Sequence, residues 1–161
     1  MKFDESRLSG PHAELAKLVG EWQGPTKTWF EPDVVADESP MTGRMTAILG
    51  GRFVLHEYQG EMLGKPFEGV AIYGFDLATK KFQAAWVDSF HMSTAIMLSE
   101  GDPGDRFSVN GSYYTGPETP RWGWRTEIEI LDGDNIVLTA FNVSPEGEEA
   151  KATETRYTRK N

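Results

Sequence analysis

The chain changes its hydrophobic period once, near Gly20. Before it, Leu15, Leu18 and Val19 fall on one face at helical spacing. Ser9 and Gly10 can cap such a helix, Pro11 fits its first turn and Gly20 can end it. After Gly20 the period becomes two, and Gly, Pro and Asp punctuate the chain. The spacing predicts strands near 22–30, 41–49, 52–59, 66–75, 81–88, 93–100, 106–114, 121–131, 135–143 and 150–159. Phe82, Ala84 and Trp86 share one face, as do Phe107, Val109 and Tyr113, and Trp122, Trp124, Ile128 and Ile130.

Gly50-Gly51, Asp102-Pro103-Gly104-Asp105 and Asp132-Gly133-Asp134-Asn135 supply hairpin chemistry, and Gly64-Lys65-Pro66 reads as a turn. No interval between strands holds a crossover helix, so neighbouring strands pair antiparallel. The expected fold class is all-β: an up-and-down antiparallel barrel of about ten strands, in one domain over 1–161, with a short N-terminal capping helix. Strand parity adds geometry. With Trp22 and the helix at the bottom, the loops around 31–40, 60–65, 89–92, 115–120 and 144–149 lie at the top. Ten strands bring Arg156 to Arg159 back to Trp22, where an arginine can stack on the indole.

Composition narrows the function. Acidic residues outnumber basic ones 25 to 16, giving a formal charge of −9 that repels phosphate backbones, so nucleic acid is not an expected partner. No apolar run reaches the ~20 residues of a membrane span. The start, Met1 to Glu5, lacks secretory-signal character, and with no cysteine a cytoplasmic location is expected. Walker, Gly-x-Ser-x-Gly and His-Glu-x-x-His patterns are missing, and the three histidines at 12, 56 and 91 form no short-range metal spacing. Neither a cofactor nor a metal is expected on these grounds, and whether the protein is an enzyme stays open.

Several segments carry a resemblance. Leu18-Val19-Gly20-Glu21-Trp22-Gln23-Gly24 resembles the Gly-x-Trp opening of the calycins, which include lipocalins, fatty-acid-binding proteins and nitrobindins. Leu49-Gly50-Gly51-Arg52-Phe53, Tyr58-Gln59-Gly60, Gly64-Lys65-Pro66-Phe67-Glu68-Gly69 and Tyr73-Gly74-Phe75-Asp76 are more specific. With Lys80-Lys81-Phe82, Trp86-Val87-Asp88-Ser89 and Glu154-Thr155-Arg156-Tyr157-Thr158-Arg159, they resemble a bacterial calycin-like family of unknown function. The resemblance implies a barrel with an internal cavity. Nitrobindin-like barrels hold haem through a histidine in the C-terminal part of the chain. Here the last histidine is His91 and the strand at 150–159 has none, which argues against haem.

The leading expectation is a binder of a small apolar or amphipathic molecule in the barrel interior. Tyr73, Trp86, Met97 and Trp124 are assigned to the wall, His56 and Tyr58 to a polar handle, and Phe90, His91 and Met92 to the mouth. Met62 and Leu63 are expected to face that mouth. Whether His56 or Glu57 points inward is open, because both faces of that strand carry apolar residues. Two alternatives stand beside this one. Asp88 and His91 can act as an acid–base pair in a small enzyme, or the apolar loops at the open end can form a homodimer.

Overall fold

A computed structural model describes every residue except 103 and 105, so part of the turn expected at Asp102–Asp105 lies outside the described residues. Two short helices, α1 (Phe3–Ser9) and α2 (Pro11–Ala16), precede ten strands. These are β1 (Gly20–Glu31), β2 (Val34–Ile48), β3 (Phe53–Met62), β4 (Lys65–Asp76) and β5 (Lys81–Asp88). They continue as β6 (Met97–Gly101), β7 (Phe107–Tyr114), β8 (Arg121–Asp132), β9 (Asn135–Val143) and β10 (Glu149–Arg159). Each strand pairs antiparallel with the next, and β10 pairs with β1 to close the barrel.

Four expectations need correction. The single helix is two, because a residue before proline is pushed out of the α region. Gly10 accordingly adopts φ −117° and ψ −159° before Pro11 restarts the helix, and Leu18 and Val19 fall beyond its end. The expected loop at 31–40 is mostly strand. A tight turn at Pro32-Asp33 reverses the chain and β2 begins at Val34, its first half lying above the rim, where polar side chains are compatible with pairing. The strand expected at 93–100 is only Met97–Gly101, because the preceding residues form a loop tied to Asp88. The reversal near Gly64 is likewise earlier than expected: Leu63 and Gly64 turn, both at positive φ, and Lys65 and Pro66 already belong to β4.

Closure of the barrel rests on one seam. Trp22 lies directly opposite Arg159 across the β1–β10 pair. The guanidinium carbon sits 4.3 Å from the centre of the indole ring. Arg159 also donates to the Val19, Lys17 and Gly133 carbonyls at 2.6, 3.2 and 2.9 Å, so one side chain ties the end of the helical segment to two hairpins. Trp22, fully buried, donates from Nε1 to the Leu18 carbonyl at 2.8 Å and stacks on Tyr157. Around it Leu15, Leu18, Phe82, Phe107, Ile128 and Ile136 fill the lower barrel. Closure pairs both edges of the meander through the body of the barrel, and the rim segment of β2 before Met41 pairs with β1 alone.

Arg159→Ala is expected to lower stability by about 2–3 kcal/mol, through loss of the stack and its hydrogen bonds. Arg159→Lys should recover less than half of that, because an ammonium has no planar fork. Urea unfolding measures both. A negligible loss for the alanine variant would show that the backbone pairing alone holds the seam.

Candidate functional site

Above the aromatic floor the barrel is hollow. An inner chamber of about 110 Å³ lies among inward-facing residues of all ten strands. An outer chamber of about 280 Å³ lies between it and the rim. Thr28, Trp86, His91, Met97 and Trp124 line both chambers and form the neck between them.

The inner chamber is organised around a buried imidazole. Strand alternation places His56 inside, 3% exposed, and Glu57 outside. Its Nδ1 lies 3.0 Å from the Tyr73 hydroxyl and its Nε2 3.0 Å from the Tyr157 hydroxyl. Burial pushes the His56 pKa down to about 3, so the ring is neutral near neutral pH. A neutral imidazole donates through one nitrogen and accepts through the other. One tyrosine therefore gives its proton to the ring, and the other accepts from it and keeps its own O–H. Whichever tautomer is present, one phenol donor remains for a third group.

Glycine makes room for this arrangement. A Cβ on Gly43 would lie 2.3 Å from the Tyr157 hydroxyl and 2.9 Å from His56 Nε2. Higher in the barrel, Trp86 Nε1 donates to the Tyr58 hydroxyl at 2.6 Å, and the Tyr58 ring lies flat across Gly69. Burial pushes the phenols of Tyr58, Tyr73 and Tyr157 upward, so all three remain protonated donors. Thr26 and Thr155 share a hydrogen bond of 2.7 Å, while Thr28 Oγ1 is buried without a protein partner. No lysine, arginine, aspartate or glutamate lines the inner chamber among the described residues.

The neck is aromatic. Trp86 and Trp124 stack with their ring centres 5.4 Å apart, and the His91 ring sits 5.6 and 5.7 Å from them. Asp88 holds His91 in place. Its carboxylate accepts from His91 Nδ1 at 2.6 Å, and from the backbone N–H groups of His91 and Met92 at 2.8 and 2.7 Å. Burial alone would push the Asp88 carboxyl up, but these hydrogen bonds outweigh it and hold the group below the usual carboxylate range. The carboxylate lone pairs are thus engaged in shaping the 89–96 loop. Phe90, 42% exposed, stacks on Phe30 of β1 across the rim, and Met92 is buried against the neck.

All nine residues expected at the site line one chamber or the other: His56, Tyr58 and Tyr73 the inner, Phe90 and Met92 the outer, and Trp86, His91, Met97 and Trp124 both. Leu63 points to solvent and Met62 lines the inner chamber, so the expected pairing of these two with the mouth does not form. Sequence reasoning missed Thr26, Thr28, Thr155 and Tyr157. Their signal was parity: Thr26 and Thr28 share the face of Trp22, and Thr155 and Tyr157 that of Arg159.

His56 offers no free imidazole nitrogen to a haem iron. Both nitrogens of His56 are occupied by tyrosines, and the His91 ring is enclosed by Phe67, Trp86, Phe90 and Trp124. Among the described residues no three His, Cys, Asp or Glu side chains are grouped to hold a metal ion. None of the described helices is long and apolar enough to cross a membrane.

Residues 8–159 match a family model described as a protein of unknown function, DUF1579. The chain belongs to the DUF1579 family. No curated protein matches its sequence. Among solved structures, this DUF1579 chain is similar to Rv2717c from M. tuberculosis, with a TM-score of 0.64 and 14% identity. That match covers 94% of this chain and 98% of the other. It is also similar to the S-type phycobiliprotein lyase CPES from Guillardia theta, with a TM-score of 0.56 and 10% identity over 100% and 99% of the two chains. At such identities the likeness is one of fold.

Two predictions follow from the buried imidazole. Between about pH 6.5 and 3 the unfolded chain carries a proton on His56 that the folded chain refuses, so stability falls as pH drops through this window. His12, also lowered chiefly by burial, acts in the same direction. Near pH 5 the His56 contribution approaches about 1.4 kcal/mol per pH unit. His56→Gln, which cannot take up that proton, is expected to remove it from the pH dependence of urea unfolding. An unchanged slope would contradict the buried neutral ring. Gly43→Ala is expected to cost about 2–3 kcal/mol, because the new methyl displaces the His56–Tyr157 pair. The same unfolding experiment measures it.

Proposed function

We propose that this DUF1579 barrel reversibly binds a small, uncharged, mostly apolar molecule carrying a hydrogen-bond acceptor such as a carbonyl oxygen. The observation that carries the reading is the set of spare donors inside an apolar chamber that no lysine or arginine lines among the described residues. Tyr58, whose oxygen already accepts from Trp86, has its own proton to give, and the Tyr73–His56–Tyr157 chain offers one more. An acceptor from the ligand satisfies these donors. A carboxylate or phosphate would enter without a counter-charge, at a desolvation cost that two phenol hydrogen bonds do not offset. Met41, Met62, Phe67, Trp86 and Trp124 supply the apolar contacts.

A calycin-like identity supports the same reading, since such barrels enclose internal cavities. Volume supports a compact ligand head. As a cavity of about 150 Å³ takes benzene, the inner chamber of about 110 Å³ has room for roughly four non-hydrogen atoms, a carbonyl and the carbons beside it. The phycobiliprotein lyase shares the fold at 10% identity, which carries no ligand across to this chain.

Methyl butyl ketone and hexanoate test the proposal, being similar in size, one neutral and the other an anion. Quenching of tryptophan fluorescence, read with calorimetry, should show saturable binding of the ketone and at least tenfold weaker binding of the anion. Tyr58→Phe should weaken ketone binding about 3–10-fold, the range of one hydrogen bond. Equal or tighter binding of hexanoate, or no saturable ketone binding, would overturn the reading.

A further inference from the structure

The two chambers are continuous through side chains, and the neck holds an anomaly. Thr28 is 2% exposed, lines both chambers, and its Oγ1 has no protein hydrogen-bond partner. It is the buried side-chain polar atom left unsatisfied among the described residues. Burying a hydroxyl without a partner costs on the order of 1–3 kcal/mol, and such groups are rare in folded proteins. Every other polar group used in the inner chamber has a partner: Thr26 has Thr155, Tyr58 has Trp86, and His56 has two tyrosines.

The outer chamber is itself a built apolar site. Trp29, Phe30, Phe90 and Met92 join the neck residues around it, and the exposed Phe30–Phe90 stack stands at its rim. Tyr113 donates to Asn142 Oδ1 at 2.6 Å on its far wall, leaving the Asn142 amide donors unspent. A molecule confined to the inner chamber would leave this second apolar volume empty and would meet Thr28 only with the end nearest the neck.

Building on the reading of the inner chamber, we propose that the ligand is an elongated, uncharged chain with two separated oxygen functions, spanning both chambers, with Thr28 hydrogen-bonding the second oxygen at the neck. One carbonyl accepts from the tyrosine donors below. The chain passes between Met97 and the Trp86–Trp124 pair, and its remaining length lies under Phe30 and Phe90. Hydroxy ketones and diketones of medium chain length have this chemistry. Thr28 is then a specificity residue, since it separates a doubly oxygenated chain from a plain one.

Methyl ketones from butyl to nonyl test the span, and nonyl ketones hydroxylated at successive chain carbons test the neck. Affinity should rise about fourfold per added methylene beyond butyl, the increment of a buried CH₂. One hydroxylated isomer should bind at least threefold tighter than its neighbours. Thr28→Val, which keeps the shape and removes the hydroxyl, should erase that preference and tighten the plain nonyl ketone. An affinity that stops rising after butyl would overturn the span. An equal affinity for all isomers in the unaltered protein would overturn the neck contact without any variant being made. Failure of methyl butyl ketone itself would instead remove the inner-chamber reading, so the two failures are distinguishable.

Discussion

The architecture depends on Arg159 lying over Trp22. A ten-strand meander has two free edges until its first and last strands meet, and each edge is a row of unpaired backbone groups. The register that joins them places a guanidinium over an indole, and the same guanidinium takes the carbonyls left at the end of the helical segment. Fixing this pair fixes the alternation of both seam strands. Trp22 inward means Thr26 and Thr28 inward, and Arg159 at the floor means Tyr157, Thr155 and Thr153 inward. The closing contact therefore determines which side chains the chamber receives from the seam, including the hydroxyl that approaches His56 from across the barrel.

The interior then sorts by height. The floor is apolar and aromatic, with Phe82, Phe107, Ile128 and Ile136 below the Tyr73–His56–Tyr157 chain. Polar groups appear where the packing stops. A histidine at this depth is tolerated because both nitrogens have partners and because it stays neutral, the charged form being excluded by burial. The arrangement also requires small residues across from large ones. Gly43 beneath the Tyr157 hydroxyl and Gly69 beneath the Tyr58 ring let aromatic side chains lie along the wall instead of crossing the lumen. The chamber survives because these rings are laid flat.

Much of this was legible in the sequence, and the physical reasons separate what was from what was not. Ten strands, antiparallel order and the return of Arg159 to Trp22 follow from period-two patterning, hairpin residues and parity, all local or counted along the chain. The nine expected site residues are large or chemically distinctive and lie on strands or in the apolar 89–92 turn at the open end, and all reach a chamber. The threonines were not legible as site residues, because a β-branched hydroxyl is equally at home on the outside of a sheet. The orientation of His56 was undecidable from β3 alone, where Val54 and Leu55 offer both faces an apolar neighbour. The long β2 was hidden because backbone pairing above the rim needs no apolar face.

The open end shows why fold likeness leaves chemistry undetermined here. A solved relative at 14% identity preserves the barrel, and a barrel is preserved by backbone pairing and alternation. The content of the lumen is set by a few inward positions that alternation leaves free to vary. In this chain those positions carry hydroxyls, indoles and the neutral His56 imidazole, and among the described residues no lysine, arginine, aspartate or glutamate lines the inner chamber. The loop that carries His91 would also be free to vary, but Asp88 removes that freedom by spending its carboxylate on the ring and the two following amides. Held in this way, His91 completes the neck with Trp86 and Trp124 and divides one lumen into two unequal chambers. In the proposed binding reading, the aromatic neck selects by shape along the axis of the lumen, and the tyrosine donors below it take the oxygen-bearing end of the ligand.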